Sequence, residues 1–149
     1  MSLMIRAGRP EDAEATGEML WKFQEAHDWM PKLHTRAECH DFCARLIARG
    51  WVIVAIEAGE TLGFLARDDA EICAFYVAPM AQERGIGKRL LAAAKERREH
   101  VWLKCFQANT RARGFYEANG FREAGRGDGT GNDENLPDIT YVWDREAST

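Results

Sequence analysis

Two glycines, Gly85 and Gly87, lie in the stretch QERGIG, between a run of strand-forming residues and an amphipathic stretch typical of a helix. A glycine in the first turn of a helix costs about 1 kcal/mol relative to alanine. The start of a helix has unpaired N–H groups and the positive end of the helix dipole, which together bind anions. Without a Cβ at these positions, a phosphate can reach the N–H groups directly. Three basic residues add positive charge around the same turn: Arg84, Lys88 and Arg89.

The same glycines also have a purely structural interpretation. A turn that needs a positive φ angle, or a helix that packs closely on a strand, would select glycine without any ligand. The pattern is not the dinucleotide-binding fingerprint, because the third glycine and the downstream ribose-binding acid are both missing. From these six residues alone, an anion site and a structural turn both stay open.

Cysteine and histidine do not form a second recognisable motif. Cys39 and Cys43 lie four residues apart in a helical pattern with His40 between them, but no second pair follows at zinc-ligand spacing. We therefore predict no metal site. Cys73 and Cys105 fall within strand patterns and are expected to pack as small apolar residues. No histidine stands at a recognised motif distance from a cysteine, so we predict no cysteine nucleophile.

The pattern of apolar residues predicts elements in the order β-α-α-β-β-β-α-β-α-β-β. A first helix is expected to start at Pro10 and to run to about His27, and further helices are expected at residues 36–48, 87–99 and 109–119. Tight turns are expected at Ala58-Gly59 and Asp68-Asp69, and Gly120 is expected to cap the last helix. A helical crossover between the fourth and fifth strands makes these two strands parallel, so the sequence predicts an α/β sheet with one parallel pair.

Length and composition narrow the class of protein. The 149 residues fit a single domain, 1–149, with 46% apolar and 30% charged residues. The formal net charge is −4, so no global basic field would attract nucleic acid or an anionic membrane. No apolar run approaches the roughly 20 residues of a membrane span, and no signal-peptide pattern is present. We expect a cytoplasmic protein with no nucleic-acid or membrane partner, and a homodimer is left open.

Two stretches resemble a known family. FYVAPMAQERGIGKRLL resembles motif A of the GNAT superfamily of acyl-CoA-dependent N-acetyltransferases, with matching positions at Val77, Pro79, Gln82, Gly85 and Gly87. FQANTRARGFYEANGF resembles motif B, with matching positions at Asn109, Phe115, Tyr116, Gly120 and Phe121. The two motifs have the expected separation and the expected order of strand and helix. The similarity is weak up to about residue 50 and clear over residues 51–121.

The resemblance implies a GNAT-like α/β fold and a co-substrate. The fold is a mixed, mostly antiparallel sheet of about seven strands flanked by about four helices. A β-bulge splays a parallel pair of strands, and the pantetheine of acetyl-CoA lies between them like an extra strand. The pyrophosphate rests on the turn at residues 82–88. The implied cofactor-binding residues are Phe75, Val77, Gln82, Arg84, Gly85, Ile86, Gly87, Lys88, Asn109 and Tyr116.

Acetyl transfer to an amine needs a neutral amine, stabilisation of the oxyanion and a proton for the leaving thiolate. A backbone N–H near Phe75 or Tyr76 would polarise the thioester carbonyl. At about 100° per residue, Asn109 and Tyr116 lie almost in line along their helix, and we expect this face to point at the cofactor while the other face packs on the sheet. The family uses this tyrosine as a general acid. The structural alternatives are an N-cap for Asn109 and packing at the helix edge for Tyr116.

The general base is predicted by the same resemblance. Glu71 lies six residues before Val77, where histone-acetylating relatives carry a catalytic glutamate, whereas many other relatives use water. An acid at the start of a strand is also commonly a solvated end residue. His34 and Glu134 are weaker candidates for the same role.

The resemblance implies an N-acetyltransferase that moves an acetyl group from acetyl-CoA to a primary amine by direct transfer in a ternary complex. We expect a small-molecule amine. A protein N-terminal or lysine acetyltransferase and a non-catalytic acyl-CoA-binding sensor are the alternatives. Aromatic and acidic residues around the acceptor groove would suit a cationic amine, although the same residues also suit a core and a solvated loop. They are Trp21, Trp29, His34, Tyr141 and Trp143, with Asp133, Glu134 and Asp138.

Overall fold

The computed structural model describes residues 2–82 and 84–146, and within these ranges the strands and helices follow the predicted order. The strands are β1 (Met4–Ala7), β2 (Val52–Glu57), β3 (Glu60–Asp68), β4 (Glu71–Val77), β5 (His100–Phe106), β6 (Arg122–Gly127) and β7 (Asp138–Asp144). The helices are α1 (Ala13–Ala26), α2 (Arg36–Ala48), α3 (Ile86–Lys95) and α4 (Thr110–Ala118). None of the helices in the described ranges has the length and apolarity needed to cross a membrane.

The strands form one mixed sheet in the order β1-β2-β3-β4-β5-β7-β6. Every neighbouring pair is antiparallel except β4 and β5, which run parallel. The parallel pair follows from the connection through α3, because a crossover helix returns the chain to the same end of the sheet. The predicted α/β class, the mostly antiparallel sheet and the single parallel pair are confirmed.

Helices α1 and α2 cover one face of the sheet. From α2, Cys43, Leu46 and Ile47 pack against β2 and β3. α1 packs on α2 so closely that a Cβ at Gly17 would lie 2.5 Å from the ring of His40. The absence of a side chain at Gly17 therefore allows the backbone of α1 to pack directly against the side chain of His40 on α2. We call this side of the sheet the α1–α2 face.

Helices α3 and α4 cover the opposite side, the α3–α4 face. Ile86, Leu90, Leu91 and Ala94 recur at helical spacing in α3, and all four side chains are buried. Full burial of a leucine or isoleucine side chain contributes about 1.5–3 kcal/mol, so packing supplies much of the stability of this short helix. Tyr116 of α4 belongs to the same apolar cluster.

The end of α3 differs from the sequence prediction. The helix was expected to reach Glu99 but ends at Lys95, because Glu96 is already extended (ψ 131°) and Arg97 has a φ angle of +60°. Arg145, after β7, donates hydrogen bonds to the carbonyl oxygens of Lys95 (2.8 Å) and Arg98 (3.0 Å). A side chain distant in sequence thus satisfies carbonyl groups at the end of α3.

Two smaller predictions are also corrected. The turn between β3 and β4 falls on Asp69 and Ala70 rather than on Asp68 and Asp69, because Asp68 still pairs with Glu71. Cys73 is exposed rather than packed, because it lies at an irregularity of β4 described below. Cys105 is buried as expected, and burial raises the pKa of its thiol to about 11.

Candidate active site

Strands β4 and β5 separate along most of their length. They share one register position, Glu71 opposite Trp102, where the N–H of Trp102 donates to the Ala70 carbonyl at 2.9 Å. Residues 72 and 74–77 of β4 keep their partners in β3, but residues 72–77 have no register partner in β5 within the described chain. β4 therefore presents an open edge toward β5, and an extended ligand can pair with such an edge through backbone hydrogen bonds.

A β-bulge accompanies this separation. The register between β3 and β4 passes from Ala66 opposite Ala74 to Arg67 opposite Ile72, which leaves Cys73 as an extra residue in β4. A bulge bends its strand and increases the local twist, and this turns β4 away from its neighbour. The structure thus has the bulge and the splayed pair that the resemblance implied.

Gly85 stands at the start of α3 in a left-handed conformation, with φ +80° and ψ 6°. A Cβ at Gly85 would meet no atom of the described residues within 4 Å, so the described part of the turn leaves space beside Gly85. No side chain of the described residues caps the N–H groups at this end of the helix. The side chain of Ile86 is buried, so that only its backbone can reach a ligand. Glu83, within the same turn, lies outside the described residues.

Gly87 has a different structural reason. A Cβ at this position would lie 3.2 Å from the ring of Phe115 and 3.7 Å from the side chain of Val77. Gly87 therefore lets α3 approach α4 and the end of β4. Both structural reasons for glycine that the sequence left open are present. Gly85 has the positive φ angle, and Gly87 has the close packing. Of the two, Gly85 is the one with space beside it.

The polar side chains of the turn have distinct partners. Gln82 is half-buried, and its amide donates to the carbonyl oxygen of Val77 at 3.1 Å, which ties the turn to the end of β4. Arg84 forms an ion pair with Glu57 at 2.8 Å. Lys88 is exposed in the first turn of α3. Arg89 is exposed in the same turn, so the positive charge at this helix start comes from Lys88, Arg89 and an Arg84 that is already paired with Glu57.

Tyr116 contacts both the parallel pair and its neighbour. Its ring centroid lies 6.3 Å from that of Phe75 on β4 and 5.9 Å from that of Tyr141 on β7. Burial raises the pKa of its hydroxyl well above the ordinary value, so the proton stays on the oxygen at neutral pH. The expected division of α4 into a packing face and a cofactor face is wrong in one respect, because Tyr116 is itself the buried residue of α4.

Asn109 is the N-cap of α4. Its side-chain oxygen accepts a hydrogen bond from the N–H of Ala112 at 3.2 Å, which satisfies one of the helix's unpaired donors. The capping alternative that the sequence left open is therefore confirmed. The side chain is half-buried.

Glu71 lies at the closed end of the parallel pair. It is half-buried and occupies the single position at which β4 and β5 pair. Phe75, the residue of β4 that contacts Tyr116, is four residues further along the strand, which corresponds to roughly 10–13 Å. Because Ile72 points to the α3–α4 face, the alternation of side chains directs Glu71 to the α1–α2 face.

Five rings lie over the separated ends of β4 and β5 on the α1–α2 face. Phe23 contacts Tyr76 with ring centroids 5.2 Å apart, and Trp29 contacts Phe106 at 5.9 Å. His27 contacts both α1-side rings, 4.2 Å from Phe23 and 5.4 Å from Trp29, and these two rings lie 5.9 Å from each other. Because Tyr76 belongs to β4 and Phe106 to β5, these five residues, which we call the aromatic cluster, span the gap.

The sequence found only part of this cluster. Of the five ring residues expected around the acceptor, only Trp29 belongs to it, and the other four lie elsewhere: Trp21, His34, Tyr141 and Trp143. Trp143, for example, packs beneath the Lys95 ammonium at 4.5 Å. Phe23 and His27 share one face of α1 by their four-residue spacing, which is a usable signal. Tyr76 and Phe106 follow only from the strand order.

The loop between β6 and β7 is anchored beside the end of β5. The backbone N–H of Gln107 donates to the Pro137 carbonyl at 2.9 Å, and its side chain donates to the Asp138 carbonyl at 3.2 Å. Glu134 in this loop is half-buried. Burial is the main reason that the pKa of Tyr76 is raised, and the negative charge of Glu134 adds to it. An acid of the loop therefore acts electrostatically on the aromatic cluster.

Residues 48–123, just over half of the chain, match the sequence profile of the acetyltransferase (GNAT) domain. The peptidyl-lysine N-acetyltransferase YiaC of Escherichia coli strain K12 is 40% identical over 75 residues, which are 50% of this chain and 50% of that protein. The peptidyl-lysine N-acetyltransferase YjaB of Salmonella typhimurium is 28% identical over 130 residues, or 85% of this chain and 88% of that protein. The chain thus spans about half the length of the first relative and most of the second.

Solved structures agree on the fold. The solution structure of apo-form YjaB from Escherichia coli superposes with a TM-score of 0.80 at 22% identity, covering 96% of this chain and 98% of that one. The PaiA N-acetyltransferase from Thermoplasma acidophilum, solved in complex with coenzyme A, superposes with a TM-score of 0.68 at 20% identity, covering 97% and 99%. The profile match, together with the splayed parallel pair and the motif residues, confirms the family predicted from the sequence: the chain belongs to the GNAT family of acyl-CoA-dependent acetyltransferases.

Proposed function

We propose that the protein transfers the acetyl group of acetyl-CoA to the ε-amino group of a lysine in a protein or peptide. The observation that carries the transfer is the separation of β4 from β5 beside the uncapped start of α3. An open strand edge next to a helix start offers pairing groups for pantetheine and N–H groups for a pyrophosphate. The relatives YiaC and YjaB, both named peptidyl-lysine N-acetyltransferases, support lysine as the acceptor.

The turn would hold the pyrophosphate mainly through its backbone. In this proposal the N–H groups from Gly85 to Lys88 point at the phosphate oxygens, and the dipole of α3 adds favourable potential. Lys88 supplies a full positive charge, whereas Arg84 contributes less because Glu57 already pairs with it. The backbones of Phe75 and Val77 pair with the pantetheine along the open edge of β4.

Tyr116 would protonate the leaving thiolate. The amine nitrogen attacks the thioester carbonyl carbon, an N–C bond forms, the C–S bond breaks, and the hydroxyl proton of Tyr116 passes to the sulfur. The raised pKa of Tyr116 keeps the hydroxyl protonated until a strong acceptor forms beside it. Backbone N–H groups of β4 near Phe75 stabilise the oxyanion, as the bulge turns this part of the strand away from β5.

A small cationic amine is the second candidate acceptor. The aromatic cluster and Glu134 on the α1–α2 face would attract a cation through ring faces and a carboxylate. This is the acceptor class that the sequence favoured. Lysine and a small amine present the same ammonium group, so an experiment must separate them.

The first measurement is the melting temperature with and without acetyl-CoA. A ligand that binds only the folded state stabilises it by mass action, so we expect a clear increase with acetyl-CoA and none with nicotinamide cofactors. If the melting temperature does not rise at an acetyl-CoA concentration of about 100 times the dissociation constant expected for acetyl-CoA, the cofactor assignment is contradicted.

The second measurement separates the acceptors by the release of CoA thiol. Three are compared: an N-terminally blocked peptide with one lysine, the same peptide unblocked with alanine for lysine, and a small diamine. We expect turnover with the first, with the added acetyl group located on the lysine by mass spectrometry. Turnover only with the second favours protein N-termini, and turnover only with the third favours a small-molecule acceptor. Binding of acetyl-CoA without turnover in any of them favours a sensor.

A further inference from the structure

We infer that His27 is the general base that takes the proton lost by the acceptor amine. This inference rests on the proposed acetyl transfer and assigns a catalytic residue within it. It arises from the position of His27 in the aromatic cluster and from the hydrogen bond that orients its ring.

The hydrogen bond fixes which nitrogen can accept a proton. Nδ1 of His27 lies 2.8 Å from the carbonyl oxygen of Phe23, one turn earlier in α1. A carbonyl oxygen only accepts, so in the neutral ring Nδ1 carries the hydrogen and Nε2 carries the lone pair. His40 offers a contrast, because its Nε2 lies 2.8 Å from the carboxylate of Glu18. His27 is thus held in the tautomer that a base requires.

The two rings that contact His27 also contact the strands on either side of the gap. Phe23 reaches Tyr76 of β4, and Trp29 reaches Phe106 of β5, while Phe23 and Trp29 contact each other with ring centroids 5.9 Å apart. Tyr116 approaches the same part of β4 from the α3–α4 face, through Phe75. A thioester held between the strands therefore has a proton donor on one face of the sheet and a proton acceptor on the other. Direct transfer uses both groups, because the amine must lose a proton and the leaving thiolate must gain one.

Glu71, the base predicted by the resemblance, is the alternative. It lies on the same face but at the closed end of the pair, four residues before Phe75. His27 lies at the open end, where Tyr76 and Phe106 diverge. The inference therefore predicts that the ionisation seen in the reaction belongs to the histidine.

The ionisable groups on the elements around the cluster are few. Tyr76 on β4 stays neutral at physiological pH because burial raises its pKa. Lys104 precedes Phe106 by two residues on the same face of β5 and is exposed. Asp28 follows His27 in the chain, and Glu134 on the β6–β7 loop acts on Tyr76.

The step balances with no further reactant. The neutral amine attacks the carbonyl carbon, its proton passes to Nε2 of His27, and the proton of the Tyr116 hydroxyl passes to the sulfur. The products are the N-acetylated amine and CoA thiol. His27 then releases its proton to solvent, and Tyr116 regains one from solvent.

The test is the pH dependence of kcat/KM for a lysine peptide in matched variants. His27→Asn keeps an amide donor at the position of Nδ1, which preserves the hydrogen bond to Phe23, and removes the titratable nitrogen. We expect the acidic limb of the profile to disappear and kcat to fall about 100-fold, with the acetyl-CoA dissociation constant unchanged. Glu71→Gln should keep the limb. His100→Asn, an exposed histidine at the far end of β5, should match the parent protein.

Each other outcome overturns the inference. These are a limb that survives in His27→Asn, a limb that vanishes only in Glu71→Gln, and a limb that follows the acceptor's own pKa when a less basic amine replaces lysine. If circular dichroism shows that His27→Asn is unfolded, His27→Gln is measured by the same criteria. Failure of the proposed function is a separate result, because the parent protein would then not acetylate the lysine peptide at all.

Discussion

Helices α2 and α3 begin in opposite ways. Thr35, before α2, accepts a hydrogen bond from the N–H of Glu38 at 3.1 Å, and the Glu38 carboxylate accepts one from the N–H of Thr35 at 2.8 Å. This capping box satisfies donors at the helix start within the chain. α3 begins at Gly85, which has no side chain, and no described residue takes its place. One helix start is closed by its own sequence and the other is left open.

The difference shows how α3 can do without a cap. A cap contributes about 1 kcal/mol, whereas each fully buried leucine of α3 contributes about 1.5–3 kcal/mol. The apolar side of α3 is fully buried, so the helix forms without satisfying its first N–H groups. α2 has a larger exposed surface and uses the capping box. Burial of its apolar side therefore stabilises α3 without a cap. In the proposed function, the uncapped N–H groups bind the ligand.

The largest expected effect comes from closing the start of α3 with a negative charge. Gly85→Asp should raise the acetyl-CoA dissociation constant about 100-fold or more, because the carboxylate repels the pyrophosphate and occupies its N–H groups. Gly50→Asp is the matched control. Gly50 has a φ angle of +77° and Gly85 one of +80°, and neither has an atom within 4 Å of an added Cβ. Isothermal titration should find the change only at position 85.

The same pair of variants tests the cause of the effect. Both substitutions place a side chain in the left-handed region, which costs about 1–2 kcal/mol of the free energy of unfolding, and at position 85 the cap formed by the carboxylate offsets part of this cost. Acetyl-pantetheine, which lacks the pyrophosphate, should bind the parent protein and Gly85→Asp about equally. Equal losses of affinity for both ligands would contradict the assignment of the α3 start to the phosphate.

The next effect separates binding at α3 from chemistry at α4. Tyr116→Phe should lower kcat about 100-fold and leave KM for acetyl-CoA nearly unchanged, because the hydroxyl acts only in the transition state. Tyr141→Phe is the control from the same apolar cluster. It removes a 2.6 Å hydrogen bond to Glu117, so it should change stability by about 1 kcal/mol and not kcat. Equal kcat losses in both variants would assign Tyr116 to packing.

A smaller effect is expected at the closed helix start. Thr35→Ala removes one half of the capping box and should lower the free energy of unfolding by about 1 kcal/mol. The acetyl-CoA dissociation constant should not change, because this cap lies at α2. Urea unfolding and isothermal titration on one preparation check both statements. A weaker affinity for acetyl-CoA would show that the two helix starts are coupled.

The smallest effect is a dependence of the α2 cap on pH. The hydrogen bond from the Thr35 N–H lowers the pKa of Glu38. A carboxyl with a lowered folded-state pKa stabilises the protein above its ordinary pKa, and this contribution is lost as the pH falls through the lowered value. The stability difference between the parent protein and Glu38→Gln should be constant from pH 7 to about pH 5 and shrink below about pH 4. A difference that persists at pH 2 would exclude the carboxylate as its source.

Local patterns predicted the elements well. The bounds of α2 agree to the residue, because Thr35 and the apolar spacing of the helix are both readable in the sequence. The bulge and the splayed pair came from the resemblance, and Gly85 came from its position between strand and helix. The capping box and the glycine turn depend on residues near one another in the chain, whereas the splayed pair was available only from the family resemblance.

Features that depend on distant residues could not be predicted. α3 stops at Lys95 because Arg145, fifty residues later, takes carbonyl groups at its end, while the charged residues after Lys95 would all fit a helix. The aromatic cluster contains residues from the α1 region and from two strands far along the chain. Helical periodicity predicts that Phe23 and His27 lie on the same face of the helix, but it does not predict which strand residues they contact. Gly87 was assigned to the cofactor turn, and its contact with Phe115 required the packing of α4.

The single register position between β4 and β5 has a mechanical consequence. It divides the sheet into two half-sheets. One contains β1, β2, β3 and β4, the other contains β5, β7 and β6, and the two share few interstrand hydrogen bonds. In the ligand-free protein, amide hydrogens on the open edge of residues 72–77 should exchange with solvent as fast as those of a loop, although they lie mid-sheet. A ligand that pairs with both strands would slow this exchange and join the two half-sheets into one elastic unit. Acetyl-CoA would then link the two half-sheets structurally as well as serving as a reactant, and release of CoA would restore the faster exchange on the open edge of β4.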